Sequence, residues 1–519
     1  MELTQLMTSL KEPSVQKEAL NVIHRFYGDG IGVYPNSVRF SGNAVFFIGK
    51  EKNGKALYVV SLPNDGKVAV GFNGEPIAGN IFGPNFAVRR CCMNHENALA
   101  LRETFAFTRP VVMGISDSFG FGDRLGIANP AHIRSLSGSH MRPVLAQQSV
   151  RELERTQRTA EEVLDAATWA VFQEGYTSGF GADADHLKTT DDIDRYARVG
   201  YTMYTFDPSA YVINEAVSLP LPEVKKRAEQ LSIGDLRLKD LEARYANRSV
   251  QLDGAVLQPN AEMVARALLK YGGVIMHTAS LYNHLINKYP SLESEVEMSV
   301  DETDIPTTPF EHYFISSELK RLGVKIISLA PRFIGDFEKG VDYRGDLSAF
   351  EKEYRQHCSI AKMNGPYKIS IHSGSDKFSV YRVIGKLSLG AVHVKTAGTS
   401  YLEALRTAAN VNPDFVRDVL DFSRGQYEEQ KKSYHVTARL DLVPAGNECP
   451  KERLLALFDE HNARQVFHVT FGKVLTERNS DGKYMFRDAL MTILKQNEEL
   501  HYGILIRHFR KHLDPFEKH

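Results

Sequence analysis

From residue 111 onward the chain repeats one theme: a short β-rich run, a polar or glycine-containing break, then a helical stretch. The runs are VVMGIS (111–116), GFGADAD (179–185), YTMYTF (201–206), EVEMSVD (295–301), KIISLA (325–330), KISIH (368–372), AVHVK (391–395) and QVFHVTF (465–471). Between them lie helical segments such as SVRELERTQRTAEEVLDAATWAVFQEG and DLSAFEKEYRQHCSIAKMN. Strands that alternate with helices are parallel strands joined by crossovers. Eight such units predict a (β/α)8 TIM-type barrel over residues 109–519, with helical insertions near 210–290 and 410–462. A doubly wound open sheet uses the same units in another strand order. Residues 1–108 have a different texture: AVFFIGK, ALYVVSL and KVAVGF are separated by EKNGKA and PNDGK, which is hairpin chemistry. This predicts a small β-rich N-terminal domain behind a helical start.

A barrel strand alternates its side chains between the interior and the surrounding helices, and barrel sites gather at the carboxyl ends of the strands. With Val296, Met298 and Val300 facing helices, Glu295, Glu297, Ser299 and Asp301 face inward. The same rule sends Lys368, Ser370 and His372 inward from KISIH, and His393 and Lys395 from AVHVK. GADADHLK adds Asp183, Asp185 and His186 at another strand end. So many buried ionisable groups are costly unless a ligand, a metal or mutual pairing compensates them. His186, His372 and His393, arriving from different strands at one mouth, form a candidate site for a divalent cation with positions left open for substrate. No HExxH spacing supports them. His508 and His512 stand four residues apart in RHFRKH and read as a solvated helix face.

Composition narrows the partners. A net charge of -1 and a pI near 7 show no basic face for nucleic acid and no polybasic segment for a membrane, so the expected partner is a small molecule. The first twenty residues lack the basic start and apolar run of a signal peptide, and a cytoplasmic location is expected. The four cysteines, Cys91, Cys92, Cys358 and Cys449, show no CxxC spacing, which leaves metal binding to histidine and carboxylate. FGFGDRLG (119–126) has Leu125 where a dinucleotide fingerprint needs its third glycine, and reads as a βα loop with Asp117 and Arg124 nearby. HSGSD does not match the GxSxG nucleophile elbow, and the charge-rich stretch 223–249 reads as a solvated helical insertion.

GADADHLKT, YTMYTFDPS, SVDETDIPTTPFEHYF, SLAPRFIGDFEKGVDYRGD, IHSGSDKFSVY and HVKTAGTSYLEALR together resemble the tagaturonate epimerase family over most of residues 110–425. The resemblance implies a metal-dependent epimerase that interconverts tagaturonate and fructuronate in hexuronate breakdown. These keto sugar acids differ at C4, whose hydrogen is not α to the C2 carbonyl, so enolisation cannot invert that centre. Retro-aldol cleavage of the C3–C4 bond can, through an enediolate that a divalent cation stabilises. Strand position and resemblance together assign His186, His372 and His393 to the metal and Asp185 as base. Glu297 is the complementary acid or a fourth ligand, with Asp301 in reserve. Lys395, Lys377 and Arg332 are candidates for the substrate carboxylate. The metal's identity stays open among Zn, Mn, Ni, Fe and Co, and an oligomer is compatible with the reading. The alternatives are a metal-dependent ketose isomerase or aldolase acting on a sugar acid, and a sugar-acid binding protein without turnover.

Overall fold

The computed structural model describes residues 32–42, 44–52, 54–61, 71–77, 87–231 and 234–517. The expected helical start, the PNDGK turn and most of KVAVGF lie outside these residues.

Strands β1 (Gly32–Val33), β2 (Arg39–Ser41), β3 (Ala44–Glu51), β4 (Gly54–Ser61), β5 (Gly74–Pro76) and β6 (Ala87–Cys91) form an antiparallel six-stranded sheet. β3 and β4 pair from Ala44 opposite Ser61 to Glu51 opposite Gly54, the hairpin that EKNGKA announced. Phe46, Ile48, Leu57 and Val59 bury one face of this sheet against Leu101 of the helix His95–Thr104 and Phe172 of the helix Ala160–Glu174. The latter is a helix of the barrel wall, so apolar side chains join the sheet to the barrel.

The barrel closes with eight parallel strands in chain order: β7 (Ser118–Phe121), β8 (Arg142–Ser149), β9 (Gly181–Leu187), β10 (Met203–Phe206), β13 (Glu295–Ser299), β14 (Ser328–Ala330), β15 (Lys368–Ile371) and β16 (Val392–Thr396), which pairs back to β7. A small hairpin, β11 (Val250–Leu252) and β12 (Ala255–Leu257), lies in the first insertion. Capping boxes at Ser149/Glu152, Thr189/Asp192 and Thr308/Glu311 start wall helices and satisfy their first backbone N–H groups.

The strand count of eight holds, but two of its members change. VVMGIS is not a strand. Its backbone crosses the amino-terminal end of the barrel, where the N–H groups of Met113 and Gly114 donate to the Glu295 carboxylate at 3.0 and 2.9 Å. The first strand is instead SFGF, inside the stretch read as a glycine-rich loop. A glycine suits position 120, since a Cβ there would sit tightly against Gln147 and the Val394 carbonyl, at 3.1 and 3.3 Å. QVFHVTF is helical, part of His461–Thr476, and the strand Arg142–Ser149 takes its place in the count. A seven-residue apolar run is ambiguous between a buried helix and a buried strand. Here Val466, Phe467, Val469 and Phe471 are buried on nearly every side of the helix by Val416, Val419 and Leu420 of the helix Pro413–Gln430 and their neighbours.

The inward and outward alternation follows the sequence pattern. Val296, Met298, Ile369, Ile371, Val392 and Val394 join the main core between strands and helices. In the first insertion, the stretch expected to be solvated contributes Val224, Ala228, Leu241 and Tyr245 to that same core. The 28-residue helix Ala261–Lys288 then returns the chain to β13. The final long helix, Glu498–Leu513, packs Phe509 against Phe119 and Phe121 outside the barrel. Among the described residues no helix is long and apolar enough to cross a membrane.

Candidate active site and metal centre

Strand β9 delivers three polar side chains in four residues. Strict alternation would point Asp183 and Asp185 inward and His186 outward. The pairing of β9 with β10 instead shifts register between Tyr204 and Phe206, and His186 takes a left-handed φ of 59°. A bulge of this kind re-aims one side chain, and Asp185 and His186 both line the same cleft at the barrel mouth. His372 reaches that cleft from the end of β15, where Ser373 also has a positive φ of 51°. The two imidazoles stand edge to face, 5.2 Å between centroids.

Asp301, two residues beyond β13, completes a trio. Ligand atoms of His186, Asp301 and His372 lie within 4.8 Å of one another. Each histidine turns its other nitrogen to a carboxylate: His372 Nε2 lies 2.6 Å from Glu297 Oε1, and His186 Nδ1 lies 3.4 Å from Asp207 Oδ2. This is the outer carboxylate that fixes tautomer and ring orientation in histidine metal sites. His372 Nδ1 faces Asp301 Oδ1 at 3.1 Å. The charge balance also suits a cation. Asp183, Asp185, Asp207, Glu297, Asp301 and Glu302 converge against Lys395, Lys188 and Arg151. Burial would lower the pKa of His186 and His372, but surrounding carboxylates overcome it, Asp185 and Asp207 at His186 and Asp301 and Glu297 at His372. They raise the two to about 10 and about 9. Two imidazoles and a carboxylate in a field of surplus negative charge fit a borderline divalent ion.

Below this trio Lys395 acts as an electrostatic hub. Its Nζ lies 2.6 Å from Asp183 Oδ2, 2.9 Å from Asp185 Oδ1 and 2.8 Å from Glu297 Oε1, and donates to Thr205 Oγ1. Burial opposes its charge, yet the three carboxylates hold it well above the ordinary lysine value. Burial likewise pushes Asp185 upward, but Lys395, His186 and His372 outweigh it and keep the carboxyl below its usual range. Asp183, enclosed more deeply, is pushed up to about 6 by burial, with Lys395 opposing. Glu297 is held well below the carboxylate range: burial is outweighed by Lys395 and His372, and Ser328 donates to its second oxygen.

The expected site residues are therefore distributed as follows. His186, His372, Asp185, Glu297 and Asp301 meet at the mouth. His393 is placed level with Ser370, two residues before His372 in β15, where its Nδ1 pairs with Ser118 Oγ at 2.8 Å. It lies outside the close trio, and burial drives its pKa well below the ordinary histidine value. Lys377 does not face the cleft: its Nζ donates to the carbonyls of Glu338, Val341 and Ser375. Asp207 and Thr205, which sequence reasoning passed over, sit at and just past the end of β10. The signal for them was the strand-end position in YTMYTFDPS. His508 and His512, read as solvated, are buried at 7% and 0% exposure. His512 Nε2 accepts the Asp376 N–H at 3.0 Å and His508 Nε2 lies 3.0 Å from Asp376 Oδ1, because the last helix packs inward onto the loop after β15.

A sequence model of the family described as tagaturonate epimerase matches residues 34–516. The chain belongs to the tagaturonate epimerase family. A tagaturonate/fructuronate epimerase from Thermotoga maritima is 42% identical over 498 residues, covering 96% of this chain and 99% of that protein. The native crystal structure of a fructuronate-tagaturonate epimerase from Cohnella laeviribosi superposes with a TM-score of 0.89 at 39% identity, covering 96% of this chain and 99% of that one. A glycerol complex of the same enzyme gives 0.89 at 38% over the same shares. The family match spans the whole barrel and therefore every residue of the cleft just described.

Proposed function

We propose that this protein is a metal-dependent epimerase that interconverts tagaturonate and fructuronate at C4. The observation that carries the reading is the His186–Asp301–His372 trio standing beside an ionised Asp185, in a chain of the tagaturonate epimerase family. His186, His372 and Asp301 would hold the cation, which when bound would supply Lewis-acid stabilisation of negative charge on substrate oxygens. Glu297 and Asp207 receive the outer N–H groups of the two histidines. The geometry favours this orienting role for Glu297 over that of an acid, since its carboxylate is already engaged by His372, Lys395 and Ser328. His393 supports the barrel interior beneath them.

Asp185 removes the O4 proton. The electron pair of the C3–C4 bond passes to C3 and onto the C2 oxygen as an enediolate, and C4 becomes an aldehyde. Lys395 stays protonated beside Asp185, keeping the base ionised before the step and the proton at hand afterwards. The aldehyde turns, C3 attacks its opposite face, and Asp185 returns the proton to O4. Contacts within the cleft would have to retain both fragments between the two steps.

Incubating cation-loaded protein with D-fructuronate in D2O, followed by proton and carbon NMR, tests this reading. Tagaturonate forms without deuterium at C4, because cleavage moves only an oxygen-bound proton. Absence of tagaturonate would overturn the function, and deuterium at C4 would overturn the route. An isomerase or aldolase is recognised in the same spectra by its different products.

A further inference from the structure

The larger of the two cavities at the mouth, about 410 Å³, is lined by Asp301, Arg332, Lys339, His372, Ser373 and Tyr434 among others. It shares His372, Ser373 and Lys339 with the catalytic cleft, so a molecule filling both places one end at the metal trio and the other in this cavity. Its cations are not equivalent. Arg151 donates to Glu302 at 2.7 Å. In the adjoining cleft Arg124 is bound to Glu152 at 2.8 Å and Lys395 to three carboxylates. Lys377, close by in sequence, is saturated by backbone carbonyls.

Of the cations lining these two spaces, Arg332 and Lys339 form no ion pair with a carboxylate among the described residues. Lys339 donates to the hydroxyl of Ser373, at 2.6 Å, and is felt by Glu302 across the cavity without a direct ion pair. Arg332 lies two residues beyond β14, and its Nε is buried without a hydrogen-bond partner. A buried guanidinium N–H left unmatched is costly, and a planar fork beside a flexible ammonium is a pairing that suits a carboxylate. We infer that Arg332 and Lys339 form the subsite for the C6 carboxylate of the ketohexuronate and set the preference for sugar acids over neutral ketohexoses. This inference rests on the epimerase reading and extends it. The carboxylate belongs to the C4–C6 fragment that separates during retro-aldol cleavage. Gripping it fixes a pivot about which the aldehyde turns while the fragment stays in the site.

Arg332→Met and Lys339→Met, each checked for wild-type thermal unfolding, provide the test. The first readout is the ratio of kcat/KM on D-fructuronate to that on D-fructose, which has a hydroxymethyl group in place of the carboxylate. We expect this ratio to fall by at least about ten-fold in each variant, as the loss of one charged hydrogen bond dictates. Lys339→Arg restores part of it. Dihydroxyacetone released into solution, read with a coupled dehydrogenase, rises relative to epimerised product. The second readout needs no turnover: calorimetric binding of D-galactonate, compared with neutral galactitol, weakens in both variants. An unchanged ratio, including an equal loss on both substrates, overturns the assignment, as does unaltered galactonate binding. If the wild-type protein leaves fructuronate unconverted, the epimerase reading fails while the binding comparison still decides whether these two residues recognise an acid.

Discussion

Two clusters of histidine and aspartate lie on either side of the short loop after β15, and only their surroundings distinguish them. His186, Asp301 and His372 face the cleft, and Asp376, His508 and His512 sit behind it; both bring ligand atoms within 4.8 Å of one another. Behind the loop every donor is matched. Arg464 Nη2 lies 2.6 Å from Asp376 Oδ2, His508 Nδ1 is 3.3 Å from Glu403 Oε1, and the His512 lone pair already accepts a backbone N–H. Burial lowers His512 to about 3, so that imidazole is neutral and structural. At the mouth the carboxylates outnumber the fixed cations and raise the imidazoles. Donor spacing alone admits the rear cluster as readily as the mouth, where His186 also belongs to a second group with Asp207 and Glu302; unbalanced charge and access to a cavity favour the mouth.

The sharpest way to break this comparison is to remove donors on each side. His186→Ala, His372→Ala and Asp301→Ala should each leave less than about a tenth of the wild-type bound metal, measured by plasma mass spectrometry after dialysis, and abolish epimerisation. His512→Ala should keep its metal; a protein emptied by that change would make the rear cluster the metal site. Next in size, Asp185→Asn should lower kcat by on the order of 10²- to 10⁴-fold with metal content unchanged, since an amide cannot take the O4 proton. A fully active variant moves the base elsewhere in the carboxylate group.

Smaller effects concern stability. Asp376→Asn removes the nearer of the two buried carboxylates that face Arg464 and His508, leaving only Glu403, and should destabilise the fold by up to about 3 kcal/mol in urea titrations. If the midpoint does not move, the rear cluster is not a brace. The two clusters should also respond to pH with opposite signs. His512 binds its proton less tightly when folded, to about 3, than when unfolded, near 6.5. Its contribution is present above 6.5 and is lost as the pH falls toward 3, by up to about 1.4 kcal/mol per unit. His186 and His372, raised to about 10 and about 9, stabilise metal-free protein below 6.5 and lose that contribution as the pH rises through those values. Urea midpoints of chelator-treated protein between pH 5 and 9 check both: His512→Gln should flatten the acid limb, and His372→Gln the alkaline one.

Local pattern carried the barrel, because alternation and strand-then-helix texture are written residue by residue. It placed His372, Lys395, Glu297 and Asp185 correctly inward. It failed where tertiary contact decides. QVFHVTF could be helix or strand until its neighbours bury every side of it, and RPVLAQQS is too polar at its end to read as a strand until Gln147 meets Asp185 inside the barrel at 3.1 Å. His186 reached the cleft through a bulge that strict alternation does not foresee. His508 and His512 were misread because their burial depends on a loop 136 residues earlier in the chain. Lys339 lies in a loop with no periodic signal, and its significance came only from the commitments of the cations around it.

That separation has a consequence for the order in which the protein comes to life. A ribosome adds roughly 5–20 residues per second. Asp376 is therefore made on the order of ten seconds before His512, 136 residues later, emerges to accept its N–H. During that interval the nascent chain holds His186, His372 and Asp185, while Asp376 in the loop after β15 still lacks two of its partners, His508 and His512. A chain truncated before the final helix would keep every side chain of the cleft and lose the His508 and His512 contacts that brace the loop after His372 from behind.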